Sequence, residues 1–294
     1  MNEAKLVEIF IDCDDFHKEF EQTFQQMVLP LKHPKSNRTP GICQSEMMSI
    51  VIYYHLSGMK CFQYYYQQII CKSLKSYFPK APSYNRFIEL MPRCFFLLFV
   101  FLHRVRRGME TGIYFADSKK LAVCHNLRIF YHRVFKGIAQ RGKTSTGWFY
   151  GLKLFLVVNC FGQIMQCTVT AGNVADNNES LLKKFFHHLK GKLWGNKGFI
   201  SPKVFQHCFS QGLKIITGIR SNMKNKLMDM QEKLLLKKRG MIESALDIMM
   251  TVCDIDHTRH RSPANAMVNL FAGLSAYTYL DKLPSVFAKK IKLN

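Results

Sequence analysis

Apolar residues in the first hundred positions recur at steps of three and four, the period of a helix with one buried face. Between Met1 and Met27 they fall at Leu6, Ile9, Phe10, Phe16, Phe20, Phe24 and Met27. A segment rich in Pro, Lys and Ser, Pro30–Gly41, interrupts the pattern. Helices are predicted next over Ser45–Leu56, ahead of Gly58, and over Phe62–Tyr77, ahead of Pro79. A fourth starts at Ser83, whose hydroxyl suits an N-cap, and runs toward Gly108. Pro92 has no backbone donor and is expected to divide it.

After Gly112 the pattern changes to that of strands. Ile113–Ala116 reads as a buried strand. Trp148–Asn159 sets Trp148, Tyr150, Leu152, Leu154 and Leu156 on one face, and Ile164–Thr170 returns after a turn at Cys160–Gln163, making a hairpin. Asn177–Leu189 predicts a helix, Lys192–Gly195 a short strand, Pro202–Ser210 a helix and Leu213–Ile219 a strand. Met228–Val252 predicts a long last helix with Ile242, Leu246, Met249 and Met250 as its apolar stripe. Strand, two-stranded hairpin, helix, strand, helix, strand, helix is the element order of the RNase H-like fold. The expected architecture is an all-α N-terminal region, residues 1–110, followed by an α/β RNase H-like catalytic domain, residues 111–294, with a mixed sheet flanked by helices.

In that fold the ends of the first and fourth strands and the last helix meet at one edge of the sheet. Asp117, Asn196 and Glu243 hold those three places. Alone, an aspartate at a strand end reads as a turn or cap residue, and a helical glutamate as a solvated charge. Together they suit phosphoryl transfer, in which paired Mg2+ ions held by hard carboxylate oxygens stabilise the attacking and leaving oxygens. A third carboxylate is expected where Asn196 stands. An amide offers a carbonyl oxygen but no negative charge, so one metal position is expected to be weakened and cleavage slowed.

Charge directs the reading toward polyanions. The formal net charge is +22 and the pI about 9.7. Residues 1–110 carry 14 Lys/Arg against 10 Asp/Glu, and residues 111–294 carry 28 against 10, so the excess lies with the candidate chemistry. Lys119, Lys120, Arg128, Arg133, Lys136, Arg141, Lys143 and Lys153 occur with no acid among them and with Phe130, Tyr131, Phe135, Trp148 and Phe149 interleaved. Such a run repels itself unless a polyanion neutralises it, and contact with DNA phosphates is the expected role. Arg259 and Arg261, within His257–Ser262, form a second cluster of this kind. Cys253, His257 and His260 have zinc-like spacing but no evident fourth ligand. The ten cysteines are scattered without a Cys-x-x-Cys pair, which fits reduced thiols in a cytosolic protein. The acidic start, Met1–Asp15, does not read as a signal peptide. The longest apolar run, Cys94–Leu102, is far short of the about 20 residues that a membrane span needs.

Several blocks resemble bacterial insertion-sequence DDE transposases: Tyr114–Cys124, Gly142–Lys153, Gly172–Asp176, Lys197–Ile200 and Asp256–Ser262, with Pro82–Phe87 in the first region. Within the four-type transposase superfamily the chain is most similar to insertion-sequence group nine-eighty-two. The resemblance places the first catalytic aspartate on Asp117, the glutamate on Glu243 and the second aspartate, normally before Lys-Gly-Tyr, on Asn196 before Lys197-Gly198-Phe199. Asp176 matches a recurrent family aspartate that is not the usual metal ligand. The resemblance implies Mg2+, with Mn2+ as a substitute, at a two-metal site. It also implies double-stranded DNA as partner, both terminal inverted repeats and target, a homo-multimer on that DNA, and a cytoplasmic, nucleoid-associated setting in a bacterium. End recognition is expected to draw on the N-terminal helices, with a helix-turn-helix-like pair around Ser45–Phe78. Two other readings compete: a transposase-derived DNA-binding protein without chemistry, and a nuclease for structured RNA.

Overall fold

The computed structural model describes residues 2–27, 41–145, 147–219, 228–256 and 260–287. The chain forms two compact units, one of residues 1–106 and 249–279, the other of residues 107–248 and 280–294. The helical unit opens with α1 (Glu3–Met27) and α2 (Gln44–Leu56). The break expected at Pro30–Gly41 lies, apart from Gly41, outside the described residues. Cys43 and Glu46 close the start of α2 with a reciprocal capping box, in which the Cys43 N–H donates to Glu46 Oε2 at 2.8 Å. The helix expected over Phe62–Tyr77 starts as α3 (Phe62–Tyr65) and widens into a π-helical turn over Tyr66–Ser73. The wider turn buries the adjacent Tyr65 and Tyr66 together, and the Tyr66 ring lies 4.6 Å from that of Phe87. The fourth predicted helix divides at Pro92. Ser83 caps α4 (Tyr84–Leu90), a 3-10 turn spans Met91–Cys94, and α5 covers Phe95–Arg104.

The second unit is built on six strands among the described residues: β1 (Ile113–Cys124), β2 (Gln140–Thr144), β3 (Gly147–Asn159), β4 (Ile164–Ala171), β5 (Gly191–Gly195) and β6 (Leu213–Thr217). Their order is β4-β3-β1-β5-β6, with β4, β3 and β1 antiparallel and β1, β5 and β6 parallel. This is RNase H-like topology. β2 pairs Gly147–Gly151, the start of β3, ahead of the stretch paired by β4. There Gly142 packs against the Gly172 carbonyl with no room for a Cβ.

In β1, β2 and the region Met228–Val252 the elements also differ from their sequence pattern. β1 was expected to end at Ala116, yet its ladder with β3 runs from Tyr114↔Asn159 to Cys124↔Tyr150. Backbone pairing rather than apolar content thus extends it through Ser118, Lys119 and Lys120. β2, Gln-Arg-Gly-Lys-Thr, has no apolar residue to announce it and exists through its ladder with β3. The single helix expected over Met228–Val252 is two, α8 (Met230–Lys237) and α9 (Gly240–Thr251), parted at Lys238–Arg239 ahead of Gly240. Glycine's low helix propensity accounts for the position of the break.

α6 (Glu179–Phe185) and α7 (Pro202–Ser210) carry residues that bury one face of the sheet in a core with Tyr114, Phe155, Phe186, Leu193 and Phe199. Each fully buried side chain of this size contributes about 1.5–3 kcal/mol. On the other face Phe115 stacks on Trp194 at 5.6 Å, and the indole N–H donates to the Glu232 carbonyl of α8 at 3.1 Å. The Glu232 carboxylate is buried and accepts from Lys214 at 2.6 Å and Lys192 at 2.9 Å, tying α8 to β5 and β6. Met228–Val252 does not hold the last helix: α10 (Pro263–Tyr277), capped by Ser262, follows it, is buried along most of its length and packs on α2 and α5. An apolar helix of that kind must be enclosed on several sides, which places residues 249–279 in the helical unit rather than with the rest of 111–294. No helix among the described residues is long and apolar enough to cross a membrane.

Candidate active site

The site begins where two parallel strands separate. β1 and β5 pair from Ile113↔Lys192 to Ala116↔Gly195, and the next residue on each strand is Asp117 and Asn196. β1 continues along β3, while the chain leaves β5 into a 3-10 turn, Lys197–Phe199. Asn196 caps that turn: its Oδ1 accepts from the Gly198 N–H at 2.7 Å. Its Nδ2 donates to Asp117 Oδ1, also at 2.7 Å. A Cβ at position 198 would lie 2.7 Å from Asn196 Oδ1 and 3.1 Å from Asp176 Oδ2, so only glycine fits beside both groups.

Asp117 is buried, and its Oδ1 also accepts from the Ser118 N–H at 2.9 Å. Burial is the largest influence on its carboxyl and raises the pKa above the ordinary aspartate range. The Ser118 N–H, the Arg239 guanidinium and the Asn196 amide oppose that rise. Arg239, at the α8–α9 junction, donates to Asp117 Oδ2 at 3.4 Å and to Glu243 Oε1 one helical turn on. One guanidinium therefore holds Asp117 and Glu243 together. Glu243 is exposed, whereas Asp117 lies inside the edge of the sheet.

A second ring of contacts surrounds this core. The Ser118 hydroxyl donates to Asp176 Oδ1 at 2.8 Å, and Lys153 Nζ reaches the same oxygen at 3.1 Å and the Val174 carbonyl at 2.8 Å. Lys119 pairs with Asp247 at 3.2 Å, one turn beyond Glu243. Lys120 lies opposite Lys153 in the β1–β3 register and is partly buried.

Asp117, Asn196 and Glu243, far apart in the chain, are thus brought together. The basic residues divide into groups. Arg128, Arg133, Lys136, Arg141 and Lys143 are exposed on the β1–β2 connection and β2, and the last two lie over the Trp148 ring at 4.8 and 5.5 Å. Lys153 is buried, with its ammonium turned to Asp176, so it is an interior partner and not part of the exposed strip. Arg261 is exposed and belongs to the helical unit. Arg259 and His257 lie outside the described residues. Arg239 is a site residue beyond those read from the sequence, where its position four residues before Glu243 is the only mark it leaves.

For a hard divalent cation the donor set is Asp117, Glu243 and an amide. The anionic groups available to such an ion are Asp117 and Glu243, joined through the Arg239 guanidinium, while Asn196 turns its N–H toward Asp117. No group of three His, Cys, Asp or Glu side chains among the described residues is placed to hold a metal.

Residues 107–263 match the family model described as the transposase DDE domain. The chain belongs to this family of DDE transposases. No curated protein matches it in sequence. Two solved structures resemble it distantly. One is the cryo-EM structure of a piggyBac transposase synaptic complex with hairpin DNA, at 12% identity over 92% of this chain and 72% of that one, with a TM-score of 0.49. The other is a simian T-cell lymphotropic virus intasome in complex with a PP2A regulatory subunit, B56 gamma, at 14% identity over 59% and 54% of the two chains, with a TM-score of 0.27.

Proposed function

We propose that this chain is a DNA transposase that binds the terminal inverted repeats of an insertion sequence, as a multimer, and whose strand cleavage and transfer are impaired at Asn196. The observation that carries the reading is the meeting of Asp117, Asn196 and Glu243 at one sheet edge, in a chain whose residues 107–263 match a transposase DDE domain. Asp117 and Glu243 would hold Mg2+ or Mn2+, which when bound supplies Lewis-acid stabilisation of the phosphoryl oxygens. Asp117, fixed by the Ser118 N–H, is the ligand held ready inside the sheet edge. Glu243 approaches from α9 and is positioned by Arg239. Asn196 turns a donor, not an anionic oxygen, toward Asp117, so it adds no charge to hold a second cation. The exposed Arg128, Arg133, Lys136, Arg141 and Lys143 would track DNA phosphates along the sheet away from this site. The N-terminal helices would contribute to recognition of the ends.

The test is cleavage of labelled duplex carrying the element's terminal repeat, in Mg2+ and then Mn2+. The proteins are the unaltered chain, Asn196→Asp, and Asn196→Asp combined with Asp117→Ala. Cutting by Asn196→Asp alone is expected. Comparable cutting by the unaltered chain would mean that the amide is tolerated or that another acid, such as Asp176, serves in its place. The Arg239 guanidinium, which engages both Asp117 and Glu243, favours a second reading, specific end binding without chemistry. In that case the ends are bound but not nicked by any of the three proteins.

A further inference from the structure

The β1–β2 connection has two sides that behave differently. Phe135 and Ala139 are buried, His132 stacks on Phe135 at 5.8 Å, and the Asn126 side chain donates to the Trp148 carbonyl at 2.8 Å. These contacts anchor a short 3-10 turn, Asn126–Tyr131, in which His125 accepts from the Leu127 and Arg128 N–H groups and the Ile129 carbonyl accepts from the His132 N–H that follows. From this anchored turn Leu127, Phe130 and Tyr131 project into solvent, 80%, 94% and 85% exposed. Large apolar side chains held this openly on an ordered turn call for a partner. The surrounding charge selects its chemistry: Arg128 lies within the turn, Arg133 and Lys136 follow it, Arg141 and Lys143 come next on β2, and no acid occurs from residue 119 to 153. An uncharged protein surface or lipid would satisfy the rings alone. A nucleic-acid strand satisfies both features, offering phosphates to the cations and base faces to the rings, and the transposase DDE domain match selects it over an anionic lipid surface.

We propose that Phe130 and Tyr131 form a stacking tip for unpaired bases of DNA whose phosphates run along Arg128, Arg133 and Arg141. This rests on the reading of the chain as a DNA transposase and deepens it by naming the form of DNA held. A ring can lie flat only on a base face that is not already stacked, so the tip selects strand ends, overhangs or opened pairs over continuous duplex. Stacking is indifferent to base identity, so the tip reports DNA form and not sequence. The half-exposed Trp148, beneath Arg141 and Lys143, extends the same aromatic and basic surface onto β3.

The test uses the full chain with DNA carrying 2-aminopurine in a short unpaired overhang, at the last base pair, or within continuous duplex. Quenching is expected in the overhang and not in the duplex interior. Phe130→Ala with Tyr131→Ala should abolish it and weaken overhang binding at least about tenfold, while duplex binding stays near that of the unaltered chain. Arg141→Ala should weaken both DNAs alike. Quenching and overhang preference that survive the double substitution would overturn the proposal. So would a change of sedimenting mass in that variant with DNA discrimination intact, which would make the tip a contact between copies. Failure of the unaltered chain to bind any DNA at low salt would instead remove the transposase reading beneath it.

Discussion

The consequence of Asn196 is set by what it touches. Its amide donates to Asp117 Oδ1 at 2.7 Å, so an aspartate in its place would set two carboxylates at hydrogen-bonding distance. Like charges that close are tolerated only with a proton or a cation between them. Without divalent metal, Asn196→Asp is therefore expected to cost about 2 kcal/mol, the scale of a lost hydrogen bond to a charged group. Thermal melts in EDTA and then in Mg2+ check this: the ion should stabilise Asn196→Asp more than the unaltered chain. Equal responses would mean that position 196 does not face the cation. At this scale much was legible in the sequence. Asp117, Asn196 and Glu243 stood out through element order and flanking motifs. Arg239 did not, because a guanidinium shared by two acids is a property of their approach and leaves only a spacing of four behind.

At the scale of elements, α8 shows how an unpromising charge becomes structural. Glu232 is the acid to which β5 and β6 send Lys192 and Lys214, and its buried backbone carbonyl receives the Trp194 indole. Its pKa is lowered from the ordinary 4.5, first by the hydrogen bond from Lys214 and then by that from Lys192. A carboxyl with a depressed folded-state pKa contributes stability that is fully present above its unfolded value and is lost as pH falls through the folded one. Denaturant titrations from neutral pH down through 4.5 should show the unaltered chain losing this contribution. Glu232→Gln should be weaker by about 2 kcal/mol at neutral pH and flatter across the acid range. Parallel pH profiles for the two proteins would show that the lysines do not hold α8. The element pattern itself was readable where periodicity is strong, as in α1, β3 and β4. It failed at β2, which has no apolar residue, and at the α8–α9 break, where one helical pattern runs across an interruption at Lys238–Arg239.

For the whole molecule, net charge becomes function only through exposure. Of the eight basic residues between 119 and 153, five are open to solvent, while Lys153 is buried against Asp176 and Lys119 pairs with Asp247. The salt dependence of DNA binding should register that division. Arg141→Ala is expected to reduce the slope of log affinity against log salt by about one, as each phosphate contact releases about one counterion. Lys153→Met should leave the slope unchanged and lower stability instead, since Asp176 loses its ammonium. Fluorescence anisotropy across a salt series, paired with thermal melts, separates the two. An equal loss of slope from both substitutions would place Lys153 on the DNA-facing surface after all.

The sequence by itself determined the RNase H-like order of elements and the concentration of positive charge after residue 110, which depend on local periodicity and residue type that a linear chain displays directly. It also named Asp117, Asn196 and Glu243 as candidates, through that element order and the resemblance of the flanking motifs. The tertiary structure decided what depends on approach across the chain. It carried β1 past Asp117 along β3, so that the aspartate lies where β5 turns away. It set Arg239 between two acids and turned Lys153 inward. It returned residues 249–279 to the helical unit, because an apolar helix is buried wherever the surrounding surfaces can enclose it. It also separated Phe130 and Tyr131, held in solvent, from Phe135 and Phe149, which are buried though they belong to the same basic and aromatic run, because the turn that carries the first two is anchored by its other side.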